Sequence, residues 1–341
     1  MKIAMLAPPW IPIPPTTYGG IEAVVALLTE YLFALKHDVT LFASPGSKSK
    51  AKIVSSMPEA YAHRINSSLI ETDHVLQALD YVSDSGDFDV VHDHTSIAVG
   101  LAKNCEIPVV HTMHNGHANG RGEFYTRHAK KAHLVAISEA QRKTAPYHLK
   151  IAGVVPNPID VTEWNFRANK RPYALWVGRF DPIKGAHLAI FAARIAEMPL
   201  LLAGPIQPGQ EQYFETQIKP HIDDVRVRYV GAVGGKRKKM LYSHASVLLM
   251  PITWNEPFGM VMVEALASGT PVIAFPYGAA TEIVIDGVNG YQVADAAAMA
   301  DAMTDLEAID PNACYQSVVD RYSPERVAEG YIGLYEKAIS G

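Results

Sequence analysis

The sequence predicts an α/β protein of two doubly wound domains, each built on a parallel sheet. Three observations predict it. Short β-rich apolar runs recur along the chain, they are continuous rather than alternating, and helical patterns separate them. Continuous runs belong to strands covered on both faces, and the helices between them supply the crossovers that parallel pairing needs. The rhythm breaks near residue 170 and then starts again, which divides the chain in two.

The first series reads KIAMLAP, HDVTLFAS, FDVVHDHT, PVVHTMH, HLVAIS and AGVVPNPI, with the amphipathic EAVVALLTEYLFALK between its first two members. The polar stretch DVTEWNFRANKRP, around 160–172, reads as a linker. The second series is YALWVGR, PLLLAGP, VRVRYVGA, SVLLMPI, PVIAFP and GYQV. SPERVAEGYIGLYEKAI closes the chain as a helix with a Ser cap and Pro at its first position. The expected boundaries are 1–160 for the first domain and 161–322 for the second, with 323–341 a helix placed to pack back on the first.

A chain of 341 residues has room for two such domains, and 48% hydrophobic with 19% charged residues argues for packed cores. The net charge of -5 gives no overall case for nucleic acid. Cys105 and Cys314 lack paired spacing and read as buried structural thiols in a reduced, cytoplasmic setting. The start MKIAMLAPPW is cut short by prolines before it reaches signal-peptide length, and no run of about eighteen apolar residues occurs. A soluble protein is expected.

In open α/β sheets, ligands sit beyond the carboxyl ends of the strands. The unusual residues fall there: Tyr18-Gly19-Gly20, His92 to His94, His111 to His117, Ser138, Asn157, Gly178-Arg179, Gly204 and Trp254 to Gly259. With two domains, those ends can face one another across an interdomain cleft.

In TTYGGIEAVV, paired glycines open a helix and let backbone N–H groups approach a ligand closely; a tight turn explains the pair equally well. No G-x-G-x-x-G fingerprint of a dinucleotide site occurs. In VGRFDPIKGAHLAI, Arg179 and Lys184 flank a helix start, a set suited to a diphosphate. NEPFGMVMVEALASGTPVIAF places Glu256 and Glu264 eight residues apart in an otherwise apolar segment. Eight residues of helix span roughly 12 Å, which puts Glu256 at the mouth and Glu264 farther along. A buried carboxylate needs partners, and sugar and ribose hydroxyls can supply them.

His92, His94, His111, His114 and His117 invite a zinc reading, but the extended run and the lack of a nearby Cys or Glu ligand disfavour it, so no metal is assigned. Hydrogen bonding is expected for His94 and His114, and strand packing for His92. GKRKKM, 235–240, reads as a solvated helix start. RGEFYTRHAKK, 121–131, reads first as a charged helix, and its charge also suits an anionic acceptor or a weak association with a membrane surface.

The ordered set TYGGIEAVV, PVVHTMH, AISEAQR, VVPNPID, WVGRFDPIKG, EPFGMVMVEALASGTPVIAF and YGAATEIVIDGVNG resembles the retaining glycosyltransferases of family four, covering nearly the whole chain. The resemblance implies the GT-B fold of two Rossmann-like domains. It implies that Arg179 and Lys184 hold a donor diphosphate, that Glu264 binds the ribose and that Glu256 contacts the transferred sugar. It adds amide contacts from Phe258 and Gly259, and places Gly20 by the phosphate and Gly204 by the nucleotide base. The 235–240 turn lies near that base as well. His114 matches the histidine beside the reacting sugar, with Tyr18, Gly19 and His94 on the acceptor side, and Glu282 matches a glutamate after a glycine-rich turn. Three positions depart from the pattern: Asn157-Pro158 for Asn-Gly, Ala279 for a second Gly, and Lys36 for the Gly that ends the first helix.

The expected activity is transfer of a hexose from a nucleoside diphosphate sugar, UDP-glucose or a related UDP-sugar favoured, to a hydroxyl of a sugar, lipid-linked or small-molecule acceptor. Configuration is retained and no cofactor is obligatory. Domain closure should exclude water and favour transfer over hydrolysis. Rival readings are a GDP-mannose-dependent mannosyltransferase, a nucleotide-sugar epimerase, a phosphorylase, an NAD-dependent dehydrogenase and a silent nucleotide-sugar binder.

Overall fold

A computed structural model describes residues 1–16, 19–65 and 67–341. The chain divides into two compact units, Met1–Pro158 with Pro324–Gly341, and Ile159–Ser323. Tyr18 lies outside the described residues.

The first unit carries seven strands: β1 (Lys2–Leu6), β2 (Asp38–Phe42), β3 (Lys52–Val54), β4 (Val90–Asp93), β5 (Val109–Met113), β6 (Ala132–Ala136) and β7 (Ile151–Val154). Their order is β3-β2-β1-β4-β5-β6-β7, with parallel pairing throughout. Alternate side chains of β1 feed two cores. Ile3 and Met5 meet Val25, Leu28 and Leu32 of the Gly20–Ala34 helix, together with Val327, Tyr331 and Tyr335 of the Pro324–Ser340 helix. Ala4 and Leu6 meet Val75, Ala78 and Val82 of the Ser68–Ser85 helix. Covering on both faces explains why these strands read as unbroken apolar runs. The first helix ends where Lys36 takes a left-handed φ of 68°, the conformation that favours glycine there.

The second unit carries β8 (Arg171–Val177), β9 (Leu200–Ala203), β10 (Val227–Tyr229), β11 (Ala245–Met250), β12 (Val272–Ala274) and β13 (Gly290–Gln292). These run parallel in the order β10-β9-β8-β11-β12-β13. Trp176, Leu202, Val247 and Ile273 pack with Ile190 and Met299 on one face. The Met260–Ala267 helix packs against β11 and β12.

Each sheet reverses its winding once, between β1 and β4 in the first unit and between β8 and β11 in the second. Such switch points leave a crevice at the strand carboxyl ends. The two cysteines are not alike: Cys314 is fully buried, whereas Cys105 is only half-buried, which corrects the expectation of two buried thiols. No helix among the described residues is long and apolar enough to cross a membrane.

Candidate active site

In the second unit, the loops after β8 and β11 meet. Thr253 donates its N–H to Ile183 O at 2.9 Å, and Trp176 Nε1 donates to Lys184 O at 3.1 Å, which fixes the lysine's backbone. Gly185 follows with φ 71°, and a Cβ there would stand 1.9 Å from Pro251 O, so only glycine lets the two loops close. Lys184 Nζ is thereby delivered to Glu256 Oε2 in a short ion pair, with side-chain exposures of 16% and 12%. Trp254 Nε1 donates to the same oxygen at 3.2 Å, and its ring lies 4.7 Å from the ammonium. Arg179 is half-buried and donates from Nη1 to Gln207 Oε1 at 2.7 Å in the loop after β9.

Glu264 lies eight residues along, inside the Met260–Ala267 helix, and is buried. Its Oε1 accepts from Lys238 Nζ at 2.6 Å and its Oε2 from Tyr242 OH at 3.0 Å. The puzzle of carboxylates in an apolar segment thus has a local solution: each glutamate is ionically paired with a lysine. This corrects the reading of GKRKKM as simply solvated. Lys238 turns inward, and Lys239 Nζ reaches Glu163 at 2.9 Å.

The other donor-side candidates differ in what they can offer. Gly259, at φ 86°, caps the Met260–Ala267 helix, and a Cβ there would meet Met262 Cε at 2.6 Å. Phe258 is buried edge-on against Tyr322, so anything it gives a ligand comes from its backbone. Gly204 spends its N–H on Gly231 O at 3.0 Å while its carbonyl accepts from Tyr229 OH at 2.9 Å, so its backbone is engaged by the protein itself. Ala279 sits in ordinary right-handed backbone and donates its N–H to Glu256 O at 2.8 Å, so alanine serves where a second glycine is usual. Glu282 lies in the short Ala280–Ile283 helix that follows, and its carbonyl accepts from Arg321.

In the first unit, His94 is 2% exposed and its Nδ1 is hydrogen-bonded to His114 Nε2 at 2.8 Å, the rings stacked at 5.0 Å. Burial, then neighbouring imidazoles, hold His94 well below the ordinary histidine range, and burial lowers His114 to about 3. Both rings are therefore neutral near pH 7. His92 is fully buried and does more than pack: its Nδ1 is bonded to Tyr335 OH at 2.6 Å and its Nε2 to Thr112 Oγ1 at 2.8 Å. His111 goes to Asp93 at 2.5 Å and His117 Nε2 to Gln141 O at 3.0 Å, so these recurring histidines have separate partners. Gly19 is required by packing, since a Cβ at its φ of 153° would stand 2.5 Å from Ile11. A Cβ on Gly20 would meet nothing within 4 Å. Asn157 is buried and its Oδ1 has no partner among the described residues.

Sequence reasoning missed Lys238, Tyr242, Gln207, Tyr331 and Tyr335, and it singled out Trp254 only as a strand-end residue, without its bond to Glu256. One signal was available: Lys238 and Tyr242 stand four apart on the Gly235–His244 helix and so share a face.

The described sheets and strand-end residues can be set beside known proteins. Residues 18–163 match the family model for Glycosyltransferase Family 4, and residues 161–316 match that for Glycosyl transferases group 1. This chain belongs to the family 4 glycosyltransferases. Among curated members, it is 27% identical to the phosphatidyl-myo-inositol mannosyltransferase of Mycobacterium leprae, over 98% of this chain and 96% of that one. Among solved structures it resembles AviGT4, a glycosyltransferase involved in avilamycin A biosynthesis, with a TM-score of 0.76 and 26% identity over 100% and 98% of the two chains. Anabaena Alr3699/HepE, solved with UDP and glucose, shares the fold, with a TM-score of 0.75 and 19% identity over 99% and 100%. The chain is a glycosyltransferase of the GT-B fold.

Proposed function

We propose that this glycosyltransferase moves a hexose from a nucleoside diphosphate sugar to a hydroxyl acceptor with retention of configuration, and that its donor is a UDP-sugar such as UDP-glucose. One observation carries the diphosphate part: Lys184 and Glu256 form a partly buried ion pair just before the Met260–Ala267 helix, beside the Arg179 loop. As the bond from the sugar C1 to the diphosphate breaks, negative charge grows on the leaving oxygen. Arg179, Lys184 and the positive helix end are the groups that stabilise it. Lys184 has three N–H donors, so it can keep Glu256 while binding phosphate. Glu256 then positions the sugar and offsets the oxocarbenium charge. The acceptor oxygen attacks from the face the diphosphate leaves, and the departing phosphate oxygen takes the acceptor proton. No obligatory metal enters this account, since the two cations meet the phosphate charge. Neutral His94 and His114 suit hydroxyl recognition rather than ion pairing.

A GDP-mannose donor is the second reading, favoured by the near full-length similarity to a mannosyltransferase. The test is thermal shift of the purified protein with UDP, GDP, ADP and NAD, before and after adding magnesium. A ligand that binds only the folded state adds roughly 2.7 kcal/mol at a hundredfold excess over its Kd. Selective stabilisation by UDP supports the first reading and by GDP the second. A response to NAD alone, or to none of the four, removes both.

A further inference from the structure

Glu264 is held differently from Glu256. Its carboxylate is 9% exposed, and each oxygen is taken by one donor, Lys238 on Oε1 and Tyr242 on Oε2. An ionised carboxylate offers about four lone-pair sites. One site per oxygen therefore remains, two acceptors side by side, which is the pattern a vicinal diol requires. Both donors come from the same face of the Gly235–His244 helix, so they are fixed relative to each other. The lysine is also restrained: its ammonium lies 5.8 Å from the Trp164 ring and 6.0 Å from the Tyr242 ring, and those rings meet edge to face at 5.7 Å. Without Lys238, a nearly buried carboxylate would keep a single donor. It would then turn toward water, which spoils the pair of acceptors.

We infer that Lys238 and Tyr242 are positioning residues that hold Glu264 aimed at the 2′,3′-diol of a nucleoside diphosphate, so that preference for ribonucleotides over 2′-deoxyribonucleotides depends on them. This inference rests on the donor reading proposed above. A purely structural lysine would weaken both nucleotides alike, whereas a positioning lysine changes their ratio.

The experiment is calorimetric titration with UDP and 2′-deoxy-UDP, and likewise with the GDP and ADP pairs, on the full-length protein and on Lys238→Met, Lys238→Arg, Tyr242→Phe and Glu264→Gln. A hydroxyl bonded to a carboxylate should favour the ribonucleotide by about tenfold or more in the unaltered protein. Lys238→Met and Glu264→Gln should bring each pair to within about threefold, with Tyr242→Phe intermediate and Lys238→Arg near the starting ratio. Melting curves show which variants fold, and Tyr242→Phe carries the same test should Lys238→Met not fold. An unchanged ratio in both Lys238→Met and Tyr242→Phe, beside a collapsed one in Glu264→Gln, overturns the positioning role alone. An unchanged ratio in Glu264→Gln removes the ribose assignment, and no binding by any nucleoside diphosphate removes the donor reading beneath it.

Discussion

At the strand ends of the second unit, two glutamates meet two lysines in partly buried ion pairs; at those of the first, the rings of His92, His94 and His114 lie in successive contact, 4.1 and 5.0 Å apart. The difference concerns charge. Buried ion pairs hold fixed charges in place, and a lysine with spare donors can meet a further anion. Buried imidazoles become neutral and offer only hydrogen bonds. The proposed donor reading assigns anion chemistry to the second unit and hydroxyl recognition to the first. The largest effect that sharpens this contrast is Lys184→Ala or Arg179→Ala, expected to lower kcat by about 10²–10³ at saturating donor. His114→Ala, which removes only a neutral partner, should cost about tenfold, the scale of one neutral hydrogen bond. Comparable losses in all three would erase the distinction.

Glycines break the comparison on stability rather than rate. A Cβ on Gly278, at φ 58°, would stand 2.3 Å from both N and O of Glu256, whereas one on Gly20 would meet nothing within 4 Å. Gly278→Ala should cost roughly 2–4 kcal/mol, read as a lower urea midpoint at unchanged slope. Gly20→Ala should stay within about 0.5 kcal/mol, so any loss of turnover there reports on ligand approach rather than folding.

These contrasts also mark what the sequence made legible. Strands could be read because covering on both faces makes them apolar throughout, and Arg179, Lys184, Glu256 and Glu264 because cations and carboxylates stand out beside such runs. Lys238 was hard to read: in a run of basic residues it looks solvated, its one cue is the helix face it shares with Tyr242, and its partner lies 26 positions later. Tyr335 and Tyr331 were further out of reach, since their partners His92 and Thr112 lie 243 and 219 positions away. Only the fold brings the Pro324–Ser340 helix beside β4 and β5. The role of Ala279 was obscured for a different reason: the family turn favours glycine, but the local backbone here is right-handed and does not need it.

Acid separates the two units next. His92, His94 and His114 all have folded pKa values below the unfolded histidine value near 6.5, with burial the leading cause. The unfolded chain then binds more protons than the folded one in that window, so the stability from these groups is complete above about pH 6.5. It is lost as the pH falls toward about 3, where His114 titrates. Acid unfolding followed by hydrogen exchange should open β4 and β5 before β8 and β11. Replacing His94 and His114 together by Gln should flatten the dependence between pH 6 and 4, and an unaltered slope would contradict the neutral-imidazole account.

The smallest effect compares two buried tyrosine hydroxyls, one in each unit. Tyr242 OH serves a carboxylate at 3.0 Å, and Tyr335 OH serves a neutral imidazole at 2.6 Å. Distance alone would rank the second bond stronger. Charge argues the reverse, because a hydrogen bond to an ionised group contributes about 1.5–3 kcal/mol and one between neutral groups about 0.5–1.5. Tyr242→Phe should therefore destabilise more than Tyr335→Phe, by about 1 kcal/mol in urea unfolding at pH 7. A larger loss from Tyr335→Phe at pH 7 would mean that the Pro324–Ser340 helix depends on this single tie more than on the apolar contacts of Val327, Tyr331 and Leu334 with the first sheet.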